Sequence, residues 1–538
     1  MDQLEFIYQN QYSFGKKINT PFGLRYITYA DFIASGQVLH AIEQFMCQQV
    51  FPVYANTHTE ASFTGSQTTH FREEARQIIK DSVNASQEDV LIFSGSGSTG
   101  AINKLFLKML QRFEEDPKPT AVFIGPYEHH SNVLPWRESK FELIEVPINA
   151  KGGIDTDFLI RELEKKKTTH NLIGSFSAAS NVTGIISPVD EINEILKSNG
   201  ALAFWDFAGG APYMHIDMNP GGLKNKDAIF ISPHKLVGGP GTPGILIVKR
   251  SLFEGKKPVI PGGGTVQFVS KWSHGYINDI EAREEGGTPD IIGAIRAGLA
   301  FKLKSDIGTE RIETIETQYI ESALKRLHKH QNIRILGSLE LKRLSFLSFH
   351  IRHNDKLLHH NFIVALLNDL FGIQARGGCS CAGPYGHDLL GIDEFTSTCY
   401  LHLIENGDEG FKPGWVRLNL NYFIPEQEVE FILQSIEWIA DHGYKLLHIY
   451  AFEVESGLWR YRDFKPELAS LSTFKLSDAV SNSSPLKKDM QTCMNYISEA
   501  SEVAEKSWNT RDENSFQNFN FNQEEEEMRW FLVPQDLD

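Results

Sequence analysis

The chain has 538 residues, 41% of them hydrophobic, which is ample for two or more domains. Its formal net charge of -17 argues against nucleic acid as the default partner, because phosphate backbones are bound by basic surfaces. No apolar run reaches the roughly 18 residues that span a bilayer, and the N-terminus lacks a secretory pattern. The five cysteines are irregularly spaced, which does not indicate a disulfide framework. We therefore expect a cytoplasmic protein with no membrane partner.

The apolar pattern divides the chain into four predicted parts. Residues 1–30 are predicted to be an irregular N-terminal arm, and residues 31–300 a large domain. In the large domain short apolar runs alternate with helical patterns, which is typical of an α/β fold with a mostly parallel sheet. The predicted strands are DVLIFS, TAVFIG, FELIEVP, NLIGSFS, ALAFWDF, DAIFIS and GILIVKR.

A smaller α+β C-terminal domain is predicted over residues 301–443, where strand patterns such as WVRLNLNYF mix with helical patterns such as NFIVALLNDLF. The pattern weakens in residues 444–538. This extension contains the linker-like stretch SLSTFKLSDAVSNSSPLKK and an acidic end, so it is predicted to be partly disordered. We expect the residues after about 460 to be dispensable for the chemistry of the core.

A Gly/Ser-rich turn follows the first predicted strand, in DVLIFSGSGSTGAIN. Glycines let a backbone approach an anion closely, and the start of the next helix offers free N–H groups. Ser98 and Thr99 add hydroxyl donors. The turn is therefore either a phosphate site or an ordinary strand-to-helix turn with Ser/Thr caps. It is not a Walker A loop, because no Lys-Ser/Thr pair follows.

Three more polar residues follow predicted strands. Asp206 ends ALAFWDF, where a buried carboxylate needs a partner such as a protonated heteroaromatic nitrogen, unless it only caps a turn. Lys235 follows DAIFIS, and a desolvated lysine suits Schiff-base chemistry, although a solvated tip would make it an ordinary surface lysine. His129, in the turn after TAVFIG, can stack on a planar cofactor, unless it and His130 are structural.

These four features together select one cofactor. All of them lie at the carboxyl ends of predicted strands, where open α/β sheets bind their ligands. Pyridoxal 5'-phosphate (PLP) offers a phosphate, a ring face, a pyridine nitrogen and an aldehyde, which match the turn, His129, Asp206 and Lys235. We therefore expect PLP as the cofactor, and no metal site.

The sequence resembles the class V aminotransferase superfamily, and within it the cysteine desulfurase and selenocysteine lyase-like branch. The resemblance covers about residues 25–440 and implies the fold type I PLP-dependent transferase fold. Each motif is weak singly, but all of them occur in the family's order. The motifs are GSTGAIN, EHHSNVLPW, ASNVTG, WDFAGG, SPHKLVGGPGTPG, GGTPDIIG, RGGCSC and VRLNLNYF.

The resemblance implies a role for each site residue. Lys235 would bind the cofactor aldehyde covalently, His129 would stack on the ring, and Asp206 would pair with the ring nitrogen. Arg417 would grip the substrate α-carboxylate, with Arg376 near the cofactor and the substrate. The other implied cofactor contacts are Ser98, Thr99, Ser232 and His234 to the phosphate, Asn181 near the phenolic oxygen, and Thr288 to the phosphate of the other subunit of a homodimer.

Cys381 stands where desulfurases of this branch carry the sulfur-accepting cysteine. Its setting, ARGGCSCAGPYGH, is glycine-rich and preceded by an arginine, so we expect a mobile loop with an accessible, thiolate-prone cysteine. Two features depart from the family pattern: Gly209 replaces the usual glutamine, and Cys379 is an extra cysteine. Cys379 is open to four interpretations: a packing residue, a disulfide partner of Cys381, a sulfur relay, or a metal ligand with His387.

The resemblance implies a PLP-dependent enzyme that removes sulfur from L-cysteine, giving alanine and a persulfide on Cys381, with an acceptor protein for the sulfur. Lys235 would move the α-proton. The alternative is an aminotransferase, epimerase or other amino-acid lyase of the same superfamily, which needs no thiol. A third hypothesis, a scaffold that binds partners without turnover, is disfavoured by the complete set of Lys235, Asp206 and His129.

Overall fold

The computed structural model describes residues 2–57, 59, 61–114, 116–474, 487–511 and 516–537. The N-terminal arm, predicted to be irregular, contains a helix and an antiparallel hairpin. The helix begins where the Asp2 side chain accepts a hydrogen bond from the Leu4 N–H, as an N-cap does. The elements of the arm and of the segment that follows it are α1 (Gln3–Gln9), β1 (Lys17–Thr20), β2 (Gly23–Tyr26), β3 (Thr28–Tyr29), α2 (His40–Phe45) and α3 (Phe63–Ser82).

The large domain is built on a seven-stranded sheet, and every predicted strand is present in it. The strands are β4 (Asp89–Ser94), β5 (Thr120–Ile124), β6 (Glu142–Glu145), β7 (Asn171–Ser177), β8 (Leu202–Asp206), β9 (Ala228–Ile231) and β10 (Gly244–Lys249). Their order is β4-β10-β9-β8-β7-β5-β6, and β10 alone runs antiparallel to its neighbours. The predicted α/β fold with a mostly parallel sheet is confirmed.

Helices cover both faces of this sheet. They are α4 (Gly97–Arg112), α5 (Leu134–Arg137), α6 (Thr156–Lys166) and α7 (Val189–Ser198), together with α3. Alternate residues of β4 face opposite sides: Val90 and Ile92 share a hydrophobic cluster with Ile102 of α4, whereas Leu91 belongs to the larger cluster that includes Ile79 of α3. Burial on both faces explains why the strands are near-continuous apolar runs in the sequence.

A hairpin leaves the large domain after β10. It joins β11 (Val266–Val269) to β12 (His274–Tyr276), and its Phe268 and Trp272 side chains are 65% and 90% exposed. The helices that follow lead to the second domain; they are α8 (Ile280–Glu284), α9 (Ile291–Ile307) and α10 (Thr309–Leu327).

The second domain is α+β, as predicted. Its strands are β13 (Ile333–Ile335), β14 (Phe346–His353), β15 (Lys356–Leu357), β16 (Ile373–Gln374), β17 (Arg376–Gly378) and β18 (Trp415–Asn419). Its helices are α11 (His360–Phe371), α12 (Gly383–Leu390), α13 (Glu394–Glu405) and α14 (Glu426–His442). The sheet has the antiparallel order β13-β14-β18-β17, while β16 pairs in parallel with β3 and so attaches the N-terminal segment to this domain.

The C-terminal extension packs on the second domain. Its elements are β19 (Tyr450–Glu453), β20 (Leu458–Tyr461), α15 (Met490–Asn509) and α16 (Gln523–Met528). The described part of the extension thus contacts the core, and the dispensability of residues after about 460 for the chemistry of the core stays a prediction. The buried face of α15 consists of Cys493, Tyr496, Ala500 and Ala504, which are spaced as one helix face but are too small or too polar to form an evident apolar pattern. Residues 475–486 and 512–515, on which the prediction of disorder partly falls, lie outside the described residues.

A buried ion pair joins the extension to α14, and both of its members also contact the N-terminal segment. The side chains of Lys488 and Glu428 are each only 3% exposed, and they form a salt bridge. The Lys488 ammonium also donates to the Thr28 hydroxyl at 3.0 Å, and the Tyr8 hydroxyl donates to Glu428. Three parts of the chain thus share one buried polar contact.

In the part of the chain that the structure describes, no helix combines the length and apolar character needed to cross a bilayer.

We predict that Lys488→Met lowers the free energy of unfolding by about 3–5 kcal/mol, because it leaves the Glu428 carboxylate buried without its cation. The matched control is Lys302→Met, since Lys302 is 58% exposed and pairs with Asp306 on the surface of α9. The control should change stability by less than about 1 kcal/mol. Urea denaturation of both variants measures the difference, and equal midpoints would contradict the prediction.

Candidate active site

The carboxyl ends of the parallel strands open into a cavity of about 260 Å³ that the second domain closes. Every site residue predicted from the sequence except Thr288 lines this cavity. The residues brought together are Ser98, Thr99, His129, Asn181, Asp206, Ser232, His234, Lys235, Arg376, Cys381 and Arg417. The fold therefore brings together side chains that lie far apart in the sequence, such as those of Ser98 and Arg417. Their individual roles stay predictions.

One end of the cavity has the features of an anion site. The helix α4 begins at Gly97, whose backbone φ is +56°, and a Cβ there would lie only 2.9 Å from the His234 ring and 3.0 Å from the Ser232 hydroxyl oxygen. The Ser98 N–H donates to Ser232 Oγ at 2.8 Å. Thr99 adds a second hydroxyl to the lining. A helix N-terminus, hydroxyls and an imidazole around one glycine fit a phosphate group.

Lys235 lies on a short 3₁₀ turn, Pro233–Lys235, directly after β9. Its side chain keeps some accessible surface in the cavity, but the protein around it still removes much of its hydration. The pKa of Lys235 is lowered to about 8, because burial lowers it, the Asp206 carboxylate opposes this effect, and Arg417 adds to the lowering. A substantial fraction of neutral amine is therefore present near neutral pH. Such an amine can act as a nucleophile or a base.

Asp206 ends β8 and is buried. Its Oδ1 accepts a hydrogen bond from the Ala208 N–H at 2.8 Å, and among the described residues the other carboxyl oxygen accepts none. Burial raises the pKa of Asp206, against the opposing effects of this hydrogen bond and of Lys235. The Asn181 Oδ1 atom is also buried without a partner in the described structure. These free acceptors fit a ring that carries polar groups, such as that of PLP.

His129 follows β5 and presents a neutral imidazole. Its pKa is lowered to about 4, mainly by burial and also by the nearby Lys235. The Ser131 N–H donates to His129 Nδ1 at 3.1 Å, which assigns the ring proton to Nε2. The adjacent Glu128 is buried and accepts hydrogen bonds from Asn132 and Ser177, so it holds this turn in place. A neutral, oriented ring suits stacking on a planar cofactor.

An acidic residue that the sequence did not single out joins the two arginines. Asp31 Oδ2 lies 3.0 Å from Arg376 Nε, and Asp31 Oδ1 lies 3.6 Å from Arg417 Nη2. Arg417 is 5% exposed and donates through Nη1 to the Asn181 carbonyl, while its Nε has no partner in the described structure. The sequence signal was a carboxylate just after the segment YITYA, but its partners lie hundreds of residues away.

The loop with two cysteines forms hydrogen bonds to the large domain, and its mobility stays a prediction. Cys381 is exposed and lines the cavity, and its carbonyl accepts a hydrogen bond from the His130 N–H at 2.9 Å. The Ser380 carbonyl accepts from Asn181 Nδ2 at 2.7 Å, so Asn181 holds this loop. Cys379 is partly buried against the hydrophobic core, which favours its interpretation as a packing residue. The loop is anchored although its sequence is rich in glycine.

Thr288 lies away from this cavity. It is exposed and lines a second cavity of about 730 Å³ beside the start of α4, where the Asn56 side chain approaches its hydroxyl at 3.4 Å. Within one chain it therefore contacts neither Lys235 nor His129. Its predicted contact with a phosphate in another subunit stays a prediction.

The Aminotransferase class-V family profile matches residues 28–430 of the chain. The chain belongs to this family. The match spans the large domain and most of the second domain, and it ends before the extension. The resemblance inferred from the sequence motifs is confirmed.

Several relatives of this chain, and several solved structures of proteins with a similar fold, bear the name cysteine desulfurase. A probable cysteine desulfurase of Halalkalibacterium halodurans is 32% identical over 368 residues, covering 66% of this chain and 84% of the relative. The apo structure of a cysteine desulfurase from Thermococcus onnurineus superposes with a TM-score of 0.65 at 25% identity, covering 77% of this chain and 95% of that one. The Escherichia coli cysteine desulfurase CsdA has a TM-score of 0.61 at 23% identity over 76% and 93% of the two chains, which shows the shared fold.

We predict that the rate at which Lys235 reacts with a small aldehyde depends on pH differently from the rate of an ordinary surface lysine. Borohydride reduction makes the adduct permanent, so that it can be measured. The neutral fraction of its amine rises as the pH passes the lowered pKa of about 8 and then levels off. A lysine-containing peptide added to the same reaction should keep gaining reactivity up to about pH 10.4, the ordinary value for a lysine side chain. Peptide mass spectrometry of the cofactor-free protein measures both rates. Parallel profiles for the two lysines would refute the lowered pKa.

Proposed function

We propose that this member of the Aminotransferase class-V family is a PLP-dependent enzyme that removes sulfur from L-cysteine, giving alanine and a persulfide on Cys381. The observation that carries the proposal is that an exposed thiol, Cys381, shares one cavity with the amine of Lys235 and the buried Arg417. A transaminase or epimerase has no use for a thiol at this place. The names of the relatives support the same substrate.

The residues present fit PLP. The turn at Gly97–Thr99, with Ser232 and His234, would hold its phosphate, and His129 would stack on its ring. Asp206 would pair with the ring nitrogen, and Lys235 would bind the aldehyde. When bound, PLP supplies an electron sink for charge that develops on the substrate. Gly209 stands where desulfurases usually have a glutamine, and the buried Asn181 is the amide near this part of the cavity.

The chain's own residues then divide the work. Arg417 binds the substrate α-carboxylate, since a guanidinium matches that group with two parallel hydrogen bonds. Lys235, as a neutral amine, takes and returns the proton of the substrate α-carbon. The Cys381 thiolate attacks the substrate sulfur. A sulfur–sulfur bond forms as the carbon–sulfur bond breaks, its electron pair stays with the carbon fragment, and protonation of that fragment yields alanine.

The persulfide needs an outlet, and we propose that an acceptor protein takes its sulfur at the exposed Cys381. We also propose a cytoplasmic location, because all five cysteines are free, as is usual in a reducing compartment. The third element of the proposal is a homodimer in which Thr288 reaches the phosphate of the neighbouring subunit. The exposed Phe268 and Trp272 of the β11–β12 hairpin support such a contact.

We predict that Cys381→Ser abolishes sulfur transfer, lowering alanine formation from L-cysteine by about 1,000-fold or more, because the nucleophile is lost. L-cysteine alone should load the wild-type protein with one extra sulfur that reduction removes, as measured by intact mass. The matched variant is Cys379→Ser, which should keep much of the activity because Cys379 packs against the core. If both variants form alanine at the wild-type rate, the reaction is a transamination or elimination that uses Lys235 without a thiol.

We predict that Thr288→Ala weakens PLP retention by about 1–2 kcal/mol, the contribution of one hydrogen bond to a charged group. Equilibrium dialysis of the dimer measures the loss. The control is Thr314→Ala, whose hydroxyl bonds only the Glu310 carbonyl within the exposed face of α10. A native mass spectrum that contains only PLP-loaded monomer would contradict the shared site.

A further inference from the structure

The turn that carries Cys381 has an unfavourable backbone. The Ala382 N–H donates to the Cys379 carbonyl at 3.3 Å, which closes a four-residue turn. Its two central residues, Ser380 and Cys381, both have a φ of +54°. Turns of this kind normally place glycine, asparagine or aspartate at these positions, and a left-handed residue with a larger side chain costs about 1–2 kcal/mol. The surroundings must therefore hold this turn in place.

His130 holds the turn through two hydrogen bonds, one from its backbone and one to its side chain. Its backbone N–H donates to the Cys381 carbonyl at 2.9 Å. Its side-chain Nε2 accepts from the Gly383 N–H, also at 2.9 Å. Gly383 is the first residue of α12, so its N–H has no acceptor within the helix. The ring can approach closely because Gly383 has no Cβ; a Cβ there would lie 3.2 Å from Nε2.

The ring of His130 is suited to accept this hydrogen bond. Burial lowers its pKa, and Arg137 and Lys412 lower it further, so the imidazole is neutral and Nε2 keeps its lone pair. His130 also follows His129 directly, and the His129 ring lines the cavity. One dipeptide therefore fixes both a wall of the cavity and the turn that carries the thiol.

We propose that His130 is a positioning residue that holds the Cys379–Ala382 turn so that the Cys381 sulfur faces the cavity. This inference rests on the proposed function of Cys381 as the sulfur acceptor. His130 itself contacts no substrate atom in this role. It acts through the Gly383 N–H and the Cys381 carbonyl, which flank the reactive residue.

The test compares His130→Ala with His130→Gln in the full chain. The glutamine amide oxygen can take the place of Nε2 as acceptor, whereas alanine removes the acceptor. The control is His328→Ala, at the exposed end of α10. The first readout is amide hydrogen exchange in the cofactor-free protein. We expect exchange at the Ala382 and Gly383 amides to become about tenfold faster in His130→Ala and to return toward the wild-type rate in His130→Gln.

The second readout separates substrate binding from sulfur transfer in the PLP-loaded protein. We expect His130→Ala to keep the rapid absorbance change on mixing with L-cysteine but to form the Cys381 persulfide at least about tenfold more slowly, with recovery in His130→Gln. Unchanged exchange, or faster exchange with persulfide formation at the wild-type rate, would overturn the proposal. Failure of the proposed function appears differently, as wild-type alanine formation by Cys381→Ser, and it would overturn the role of His130 in sulfur transfer as well.

Discussion

The site depends on the burial of an amine and a carboxylate at the ends of adjacent strands. Lys235 follows β9, and Asp206 ends β8, where it pairs in register with Phe230. Loss of water moves both groups toward their neutral forms, lowering the pKa of Lys235 and raising that of Asp206, while their mutual attraction opposes the change. On an open surface neither shift would occur. The tightly covered sheet is thus the condition for the chemistry.

The second domain contributes the two arginines that we propose to bind the substrate, and the N-terminal segment connects them. β3 pairs with β16, and two residues after β3 Asp31 contacts Arg376 and Arg417. The extension reaches the same segment, because Lys488 bonds the Thr28 hydroxyl beside its buried partner Glu428. Residues beyond the family match therefore contact the strand that positions a carboxylate of the site. This arrangement gives the extension a structural role in the domain junction.

The large domain could be predicted from the sequence almost element by element. The runs DVLIFS and NLIGSFS coincide with β4 and β7, because a strand covered by helices on both faces must be apolar at every position. The cavity residues that follow such strands, His129, Asp206 and Lys235, could be predicted too, since polar side chains there meet at one edge of the sheet, whereas Arg376, Cys381 and Arg417 were implied only by the family resemblance. The extension could not, because α15 buries small and polar residues, such as Cys493 and Ala500, whose burial becomes evident only against α14 and its neighbours.

The amino-acid sequence by itself determined the strand pattern, because apolar periodicity is a local property. It also determined the order of the cofactor motifs and the presence of Lys235, Asp206, His129 and Cys381 at strand ends or in a loop, because these depend on the chemistry of single residues. Only the tertiary structure decided which distant groups act on them. The contacts of Asp31 with Arg376, and of His130 with Gly383, join residues about 345 and 253 positions apart. Such contacts depend on how sheets and helices pack, which no local pattern encodes. For the same reason the glycine pattern of the cysteine loop did not reveal the hydrogen bonds that its neighbours make to the turn.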